Sequence, residues 1–222
     1  MNFIDPLGKE HSLQSPPKRI ISLVPSQTEL LYDLGLDESV VGITKFCIHP
    51  NLKWKEVARV GGTKTVRLDN VRRLQPDLII ANKEENTKDQ IEALAAEFPV
   101  WMSDIHSLHE AFEMIRVVGT FADKQEEAEN MVSEIMQKWA PIKDIAAGKK
   151  VAYLIWQHPE MLAANNTFIG DVLSFCGYCN VADNQSRYPE ISIEHLQSLN
   201  PDHILLASEP FPFVEKHAAR YR

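Results

Sequence analysis

The chain of 222 residues carries 23 basic and 31 acidic residues, a net charge of −8, so a nucleic-acid backbone would be repelled, and no clustered Lys/Arg stripe compensates. With 44% apolar, 24% charged and 8% aromatic residues it has an ordinary globular balance, and no apolar run approaches the ~20 residues needed to span a bilayer. The N-terminal stretch MNFIDPLGKEHSLQSPPKR lacks the apolar centre of an export signal, so the chain reads either as cytoplasmic or as the mature form of an exported protein.

Lys18-Arg19 leads into a buried strand, IISLV, which Pro25 ends. Ser26-x-x-Glu29 has the form of a capping box opening the helix ELLYDLG, with Gly35 as its stop. The strand VVGIT follows from Val40, and then the irregular KFCIHP. A helix and strand over 69–80 end in the polar ANKEEN; QIEALAAEF is the next helix, VWM the next strand, and Ser107-x-x-Glu110 a second capping box before LHEAFEMIRVVG. Asp123 is then expected to cap a long helix running to about Ala147, with Met131, Val132, Ile135, Met136, Trp139 and Ile142 at helical spacing and Pro141 kinking it late. Some 24 residues at ~1.5 Å rise give about 36 Å. The pattern restarts with VAYLIW, the helix FIGDVLSF and another helix and strand over 194–205. Strand and helix alternate throughout, which predicts an α/β fold with parallel sheets: an N-terminal lobe over 1–122, a bridging helix over 123–147 and a C-terminal lobe over 148–222.

Two of these segments say nearly the same thing. DNVRRLQPDLII (69–80) and EHLQSLNPDHIL (194–205) are offset by 125 positions at the leading acid, the Leu, the Pro-Asp step and the aliphatic pair. A duplicated helix–turn–strand unit explains this, because the x-Pro step stops the helix and the apolar run follows. Two copies so far apart exclude a solenoid and leave two similar lobes with a working cleft between them.

The three cysteines include the pair CGYC at 176–179. It follows the helix FIGDVLSF, where the dipole has the wrong sign to stabilise a thiolate, and no further ligands at zinc spacing accompany it. The structural reading, as small buried apolar groups, is preferred. Enzyme motifs are absent: GGTKT at 61–65 lacks the first glycine of a phosphate loop, and neither G-x-G-x-x-G nor G-x-S-x-G occurs.

KRIISLVPSQTELLYDLGL, VVGITKF, LQPDLIIANKEEN, the long connector and LNPDHILLASEPF, taken in order and spacing over about residues 18–216, resemble a class III periplasmic substrate-binding protein. These are the helical-backbone receptors that deliver cobalamin, ferric siderophores or haem to ABC importers, and the cobalamin branch is the most similar. The resemblance implies two Rossmann-like lobes with parallel sheets joined by one long backbone helix. It further implies a ligand held between the lobes with little closure, and periplasmic or membrane-associated work as a monomer beside an importer's permease. It also implies one acidic residue per lobe that docks onto permease arginines; Asp69 and Glu194 fall at those positions. Relatives usually add a strand and helix to the second lobe beyond the point reached at Arg222.

The residues themselves point to a site at the loops after strand ends, where parallel sheets meet ligands. In the first half these loops offer Pro25, Ser26, Lys45, Phe46, His49 and Asn82; in the second, Trp156, His158, Arg187, Tyr188, Glu209 and Phe211. Aromatic faces with polar neighbours suit a flat macrocycle with amide edges. Plainer roles stand beside these: Ser26 and Glu29 as a helix cap, Asp69 and Glu194 as acids favoured in a first helical turn, Phe46 and Trp156 as core, His49 and His158 as surface histidines or a metal clamp. The reading is therefore a non-enzymatic binding protein with no resident cofactor or metal site, whose ligand is a corrinoid, or alternatively a ferric siderophore or haem. A cytoplasmic corrinoid-handling protein or a tetrapyrrole chelatase-like enzyme is the alternative of another class.

Overall fold

The computed structural model describes residues 2–50 and 55–221. It opens with an antiparallel pair, β1 (Asn2–Ile4) and β2 (Glu10–Ser12). Asp5 builds the turn between them: its Oδ1 accepts the N–H groups of Leu7 and Lys9, and Oδ2 lies 3.0 Å from His11 Nε2. Then come β3 (Ile20–Ser22), α1 (Pro25–Asp33), β4 (Val40–Ile43) and β5 (Ala58–Arg59), followed by a tight hairpin of β6 (Gly61–Gly62) and β7 (Thr65–Val66). The helices α2 (Leu68–Leu74), α3 (Lys88–Ala95) and α4 (Leu108–Phe121) alternate with β8 (Leu78–Asn82) and β9 (Val100–Ser103). The order β5-β4-β3-β8-β9 makes one five-stranded sheet, parallel at every pairing. Its strands bury Ile21, Ile79, Val100 and their neighbours with at most a few per cent exposure, and each such side chain contributes roughly 1.5–3 kcal/mol. Among the flanking helices, α4 lies close to the next helix because Gly119 has no side chain: a Cβ there would stand 2.5 Å from Ala128 Cβ.

Helix α1 starts differently from the expectation. Its N-cap is Val24, with no side-chain cap, and Pro25 is its first residue, so Ser26 lies inside the first turn and Ser26–Glu29 is not a capping box. Proline's fixed φ is already helical and its missing N–H costs nothing at that position. The box at Ser107 does form a cap, with Glu110 N–H donating to Ser107 Oγ at 3.1 Å and Glu110 Oε2 accepting from His106 N at 2.6 Å.

The long helix is also shorter than its pattern. Asp123 is in left-handed backbone at φ 57°, α5 (Gln125–Trp139) spans 15 residues, and a 3₁₀ turn follows at Ala140–Ile142. At ~1.5 Å per residue the helix is about 22 Å long. Pro141 is the cause: it cannot donate to the residue four before it and collides with that carbonyl. Of the apolar stripe, Val132 is buried while Met136 is 54% exposed.

The second sheet is built on β10 (Lys150–Trp156), which β11 (Met161–Leu162) and β12 (Cys179–Asn180) flank on successive stretches. α6 (Phe168–Phe175), α7 (Ile193–Ser198), β13 (His203–Leu206) and α8 (Glu215–Ala218) complete the chain. β12 and β13 run parallel to β10, and β11 runs antiparallel. Ala152, Leu154, Leu162, Ala182 and Leu196 form its core. Two compact units result, Met1–Asp104 with Glu113–Val132, and Ile105–Phe112 with Ser133–Arg222. The division passes through α4 as well as α5, whereas the sequence pattern assigns the crossing to a single helix.

The duplicated unit is real and has a shared device. Gln75 and Asn200, which end α2 and α7, both adopt left-handed backbone, φ 45° and 47°. After the proline, Asp77 accepts the N–H groups of Lys18 (2.7 Å) and Arg19 (2.9 Å) at the start of β3, and Asp202 accepts that of Lys150 (2.7 Å) at the start of β10.

Candidate ligand-binding site

Because β3, β4, β8 and β9 are parallel, their C-terminal ends share one edge, and the loops there carry the expected residues of the first unit. The loop after β4 is the most developed. Arg59 Nη1 donates to the carbonyls of Thr44 and Cys47 (3.0 Å for the latter), and Thr28 Oγ1 donates to the buried Cys47 Sγ at 3.1 Å. Held from beneath, the loop turns Lys45, Phe46, Ile48 and His49 outward. Phe46 is 51% exposed, and Lys45 Nζ lies 4.9 Å from its ring centre. Pro25 is half-buried and Ser26 exposed at the adjoining helix start.

Asn82 is occupied with its own loop. Its Oδ1 accepts from the backbone of Glu84 and Glu85, and its Nδ2 donates to Ser103 Oγ at 3.0 Å, beneath which the buried Gln27 also donates to Ser103. This gives Asn82 a positioning part. No local signal joins Gln27 to Ser103, 76 positions away, so the network was missed.

In the second unit β10, β12 and β13 likewise end on one edge. Trp156 is 38% exposed there, and Phe211 meets it edge-on with ring centres 5.7 Å apart. Phe211 in turn contacts Phe213 (4.6 Å) and His217 (5.3 Å), and its N–H donates to Ile155 O at 3.3 Å. Arg187 stacks on Tyr188 at 5.6 Å, while its Nη1 lies 3.0 Å from His106 Nδ1 and donates to Asn166 O. Tyr188 also packs on Ile155, Ala163 and Ala207, so it is partly core. Glu209 and His158 are exposed on the same edge. The structure thus brings together Lys45 with Phe46, Trp156 with Phe211, and Arg187 with Tyr188. The pairing of His106 with Arg187 spans 81 positions and was not legible in the sequence.

Asp69 and Glu194 are the second residues of α2 and α7. Each helix reverses sharply into its strand, so its first turn lies toward the loop edge of its own sheet. Asp69 is ion-paired to Arg72 at 3.0 Å with its side chain 86% exposed; Arg72 also grips Glu97, whose carboxyl that hydrogen bond lowers below the usual range. Glu194 is exposed, and hydrogen bonds from its own backbone and from Ser192 lower its carboxyl. The cysteines are free: Cys47 is the buried one, whereas Cys176 caps α6 and Cys179 is exposed on β12, contrary to the expected burial of the pair. Among the described residues no group of three or more His, Cys, Asp or Glu could hold a metal ion, and no helix is long and apolar enough to cross a membrane.

The sequence profile described as periplasmic binding protein matches residues 20–218. The chain belongs to the periplasmic binding protein family. It is 25% identical over 201 residues to a vitamin B12-binding protein of Pectobacterium carotovorum, covering 87% of this chain and 72% of the relative. An uncharacterised ABC transporter substrate-binding lipoprotein of Bacillus subtilis is 27% identical over 212 residues, covering 90% of this chain and 67% of that one. Among solved structures, the periplasmic vitamin B12-binding protein BtuF of Vibrio cholerae superposes with a TM-score of 0.76 at 25% identity, over 92% of this chain and 79% of the other. In this periplasmic binding protein, each unit's loop edge therefore combines an exposed aromatic residue with charged or polar neighbours.

Proposed function

We propose that this chain is the substrate-binding component of an ABC importer, working in the periplasm or attached to the membrane, and that its ligand is a corrinoid. The observation that carries the reading is the pair of exposed aromatic groups, Phe46 in one unit and Trp156 with Phe211 in the other, each at a parallel-sheet loop edge. Exposed rings of this size gain by covering an apolar plane, and nearby polar groups suit a ligand rim of amides. Likeness to vitamin B12-binding proteins supports a corrin as that plane. The mechanism is capture and presentation, with no covalent step. Asp69 and Glu194 serve as carboxylates that register the protein on basic groups of the permease, where charge affects association more than stability.

Titration calorimetry with cyanocobalamin, read beside tryptophan fluorescence, tests the ligand. Binding that weakens by about tenfold, or 1.4 kcal/mol, in Trp156→Ala and in Phe46→Ala is expected. Absence of heat and of quenching at high micromolar ligand would end the corrinoid reading, and parallel titrations with haemin and a ferric hydroxamate would then identify the alternative.

A further inference from the structure

Beside the Phe46 loop the first unit carries an open pocket of about 380 Å³, walled by Lys45, Gly61, Gly62, Thr65, Arg67 and Gln90. Its charged walls are both cations. Neither the Lys45 ammonium nor the Arg67 guanidinium has an ion pair or hydrogen bond among the described residues. Elsewhere in the chain, Arg72, Arg116 and Arg220 grip carboxylates. Asp69, two positions from Arg67, turns to Arg72 instead. Two unpaired cations facing one concavity repel each other, and an anion between them removes that cost while making charge-assisted hydrogen bonds to both.

The rest of the wall is built to stay open. Gly61 has φ 123°, and a Cβ on it would stand 2.3 Å from Thr65 O; a Cβ on Gly62 would meet Thr65 Oγ1 at 2.8 Å and Phe46 Cε2 at 3.3 Å. Any side chain at either position would fill the pocket or lift the Phe46 ring. Gln90 anchors the hairpin from α3, accepting from Val66 N–H at 3.0 Å and donating to Lys64 O at 3.0 Å. Lys45 Nζ sits 4.9 Å from the Phe46 ring centre, so a planar ligand resting on that ring places a rim substituent at the cations.

Resting on the corrinoid reading, we propose that Lys45 and Arg67 form a subsite for the phosphodiester of the ligand's nucleotide tail. The corrin rim itself carries neutral amides, and the tail holds the one permanent anion. Arginine's planar fork and lysine's point charge both suit phosphate oxygens.

Cobinamide, the same corrin without its nucleotide tail, gives the test. Arg67→Met keeps an apolar stem and removes the charge. It should lower the ratio of cyanocobalamin to dicyanocobinamide affinity by about tenfold, and adding Lys45→Met should lower the ratio again. In a separate arm, millimolar dimethyl phosphate should shift the amide NMR signals of Gly61, Gly62 and Thr65 in the unmodified protein and not in the double variant. An unchanged affinity ratio, with both corrinoids bound, overturns the subsite. A protein that binds neither corrinoid removes the corrinoid reading alone; the dimethyl phosphate arm then decides, and motionless amides overturn the pocket as an anion site.

Discussion

The unit α2–β8 and its copy α7–β13 share a local conformation and differ in what surrounds it. Both end their helix on a left-handed residue, both turn on Pro-Asp, and both use the aspartate to hold backbone N–H groups where their sheet's founding strand begins. Yet β8 lies between β3 and β9 with Leu78, Ile79 and Ile80 fully buried, whereas β13 pairs with β10 and its four residues are half-buried. In the first copy Arg19 also forks onto the carbonyls of Leu74 and Gln75 at the end of α2. Lys150 holds the matching place in the second and has no fork. A short motif therefore dictates its own backbone, while the energy it returns is set by neighbours it does not encode.

Four sets of substitutions can break or sharpen this contrast. Ile79→Ala should cost about 2–4 kcal/mol and the matching Ile204→Ala about 1 kcal/mol, because only the first leaves a fully enclosed cavity. Urea unfolding measures both, and equal losses would remove the difference in surroundings. Asp77→Ala should cost about 1–2 kcal/mol through two orphaned N–H groups, and Asp202→Ala about 1 kcal/mol through one; the reverse order would contradict the shared device. Arg19→Lys should lose the fork alone, about 0.5–1 kcal/mol, visible as a small drop in calorimetric midpoint. Smallest is Asp69→Ala combined with Glu194→Ala: exposed acids contribute roughly 0–1 kcal/mol, so stability and ligand affinity should hold while permease binding in reconstituted vesicles is lost. Unfolding of that double variant would make the acids structural.

Alternation of strand and helix was legible because each element carries its own period and its own stop, as Gly35 and the two Pro-Asp steps show. The hairpin at Gly61–Val66 was not, since two-residue strands are too short to show a period. Helix α5 was overextended because the apolar spacing continues through Ile142, while Pro141 and the left-handed residues Asp144 and Ala147 end it. At the site, a residue that closes or soon follows a β-rich run can be placed at the loop edge from sequence, which located Phe46 and Trp156. Whether such a residue is free or committed is decided by distant partners. Asn82 is held by Ser103, and Arg187 meets His106, and neither pairing leaves any trace in local pattern.

The aspartate clip also governs strand alignment. Asp77 N–H donates to Arg19 O and Asp202 N–H to Lys150 O, so each carboxylate closes a ring with one chosen residue of the neighbouring strand. The next positions then follow in step: Leu78 beside Ile20 and Ile79 beside Ile21, and likewise His203 beside Val151 and Ile204 beside Ala152. Side chains alternate between faces, so a slip by one residue would invert every one of them. In runs as uniformly aliphatic as LIIA and ILL, hydrophobicity alone penalises such a slip weakly. The carboxylate makes the wrong alignment cost a hydrogen-bonded ring in each unit, so both sheets carry the same penalty against misregister.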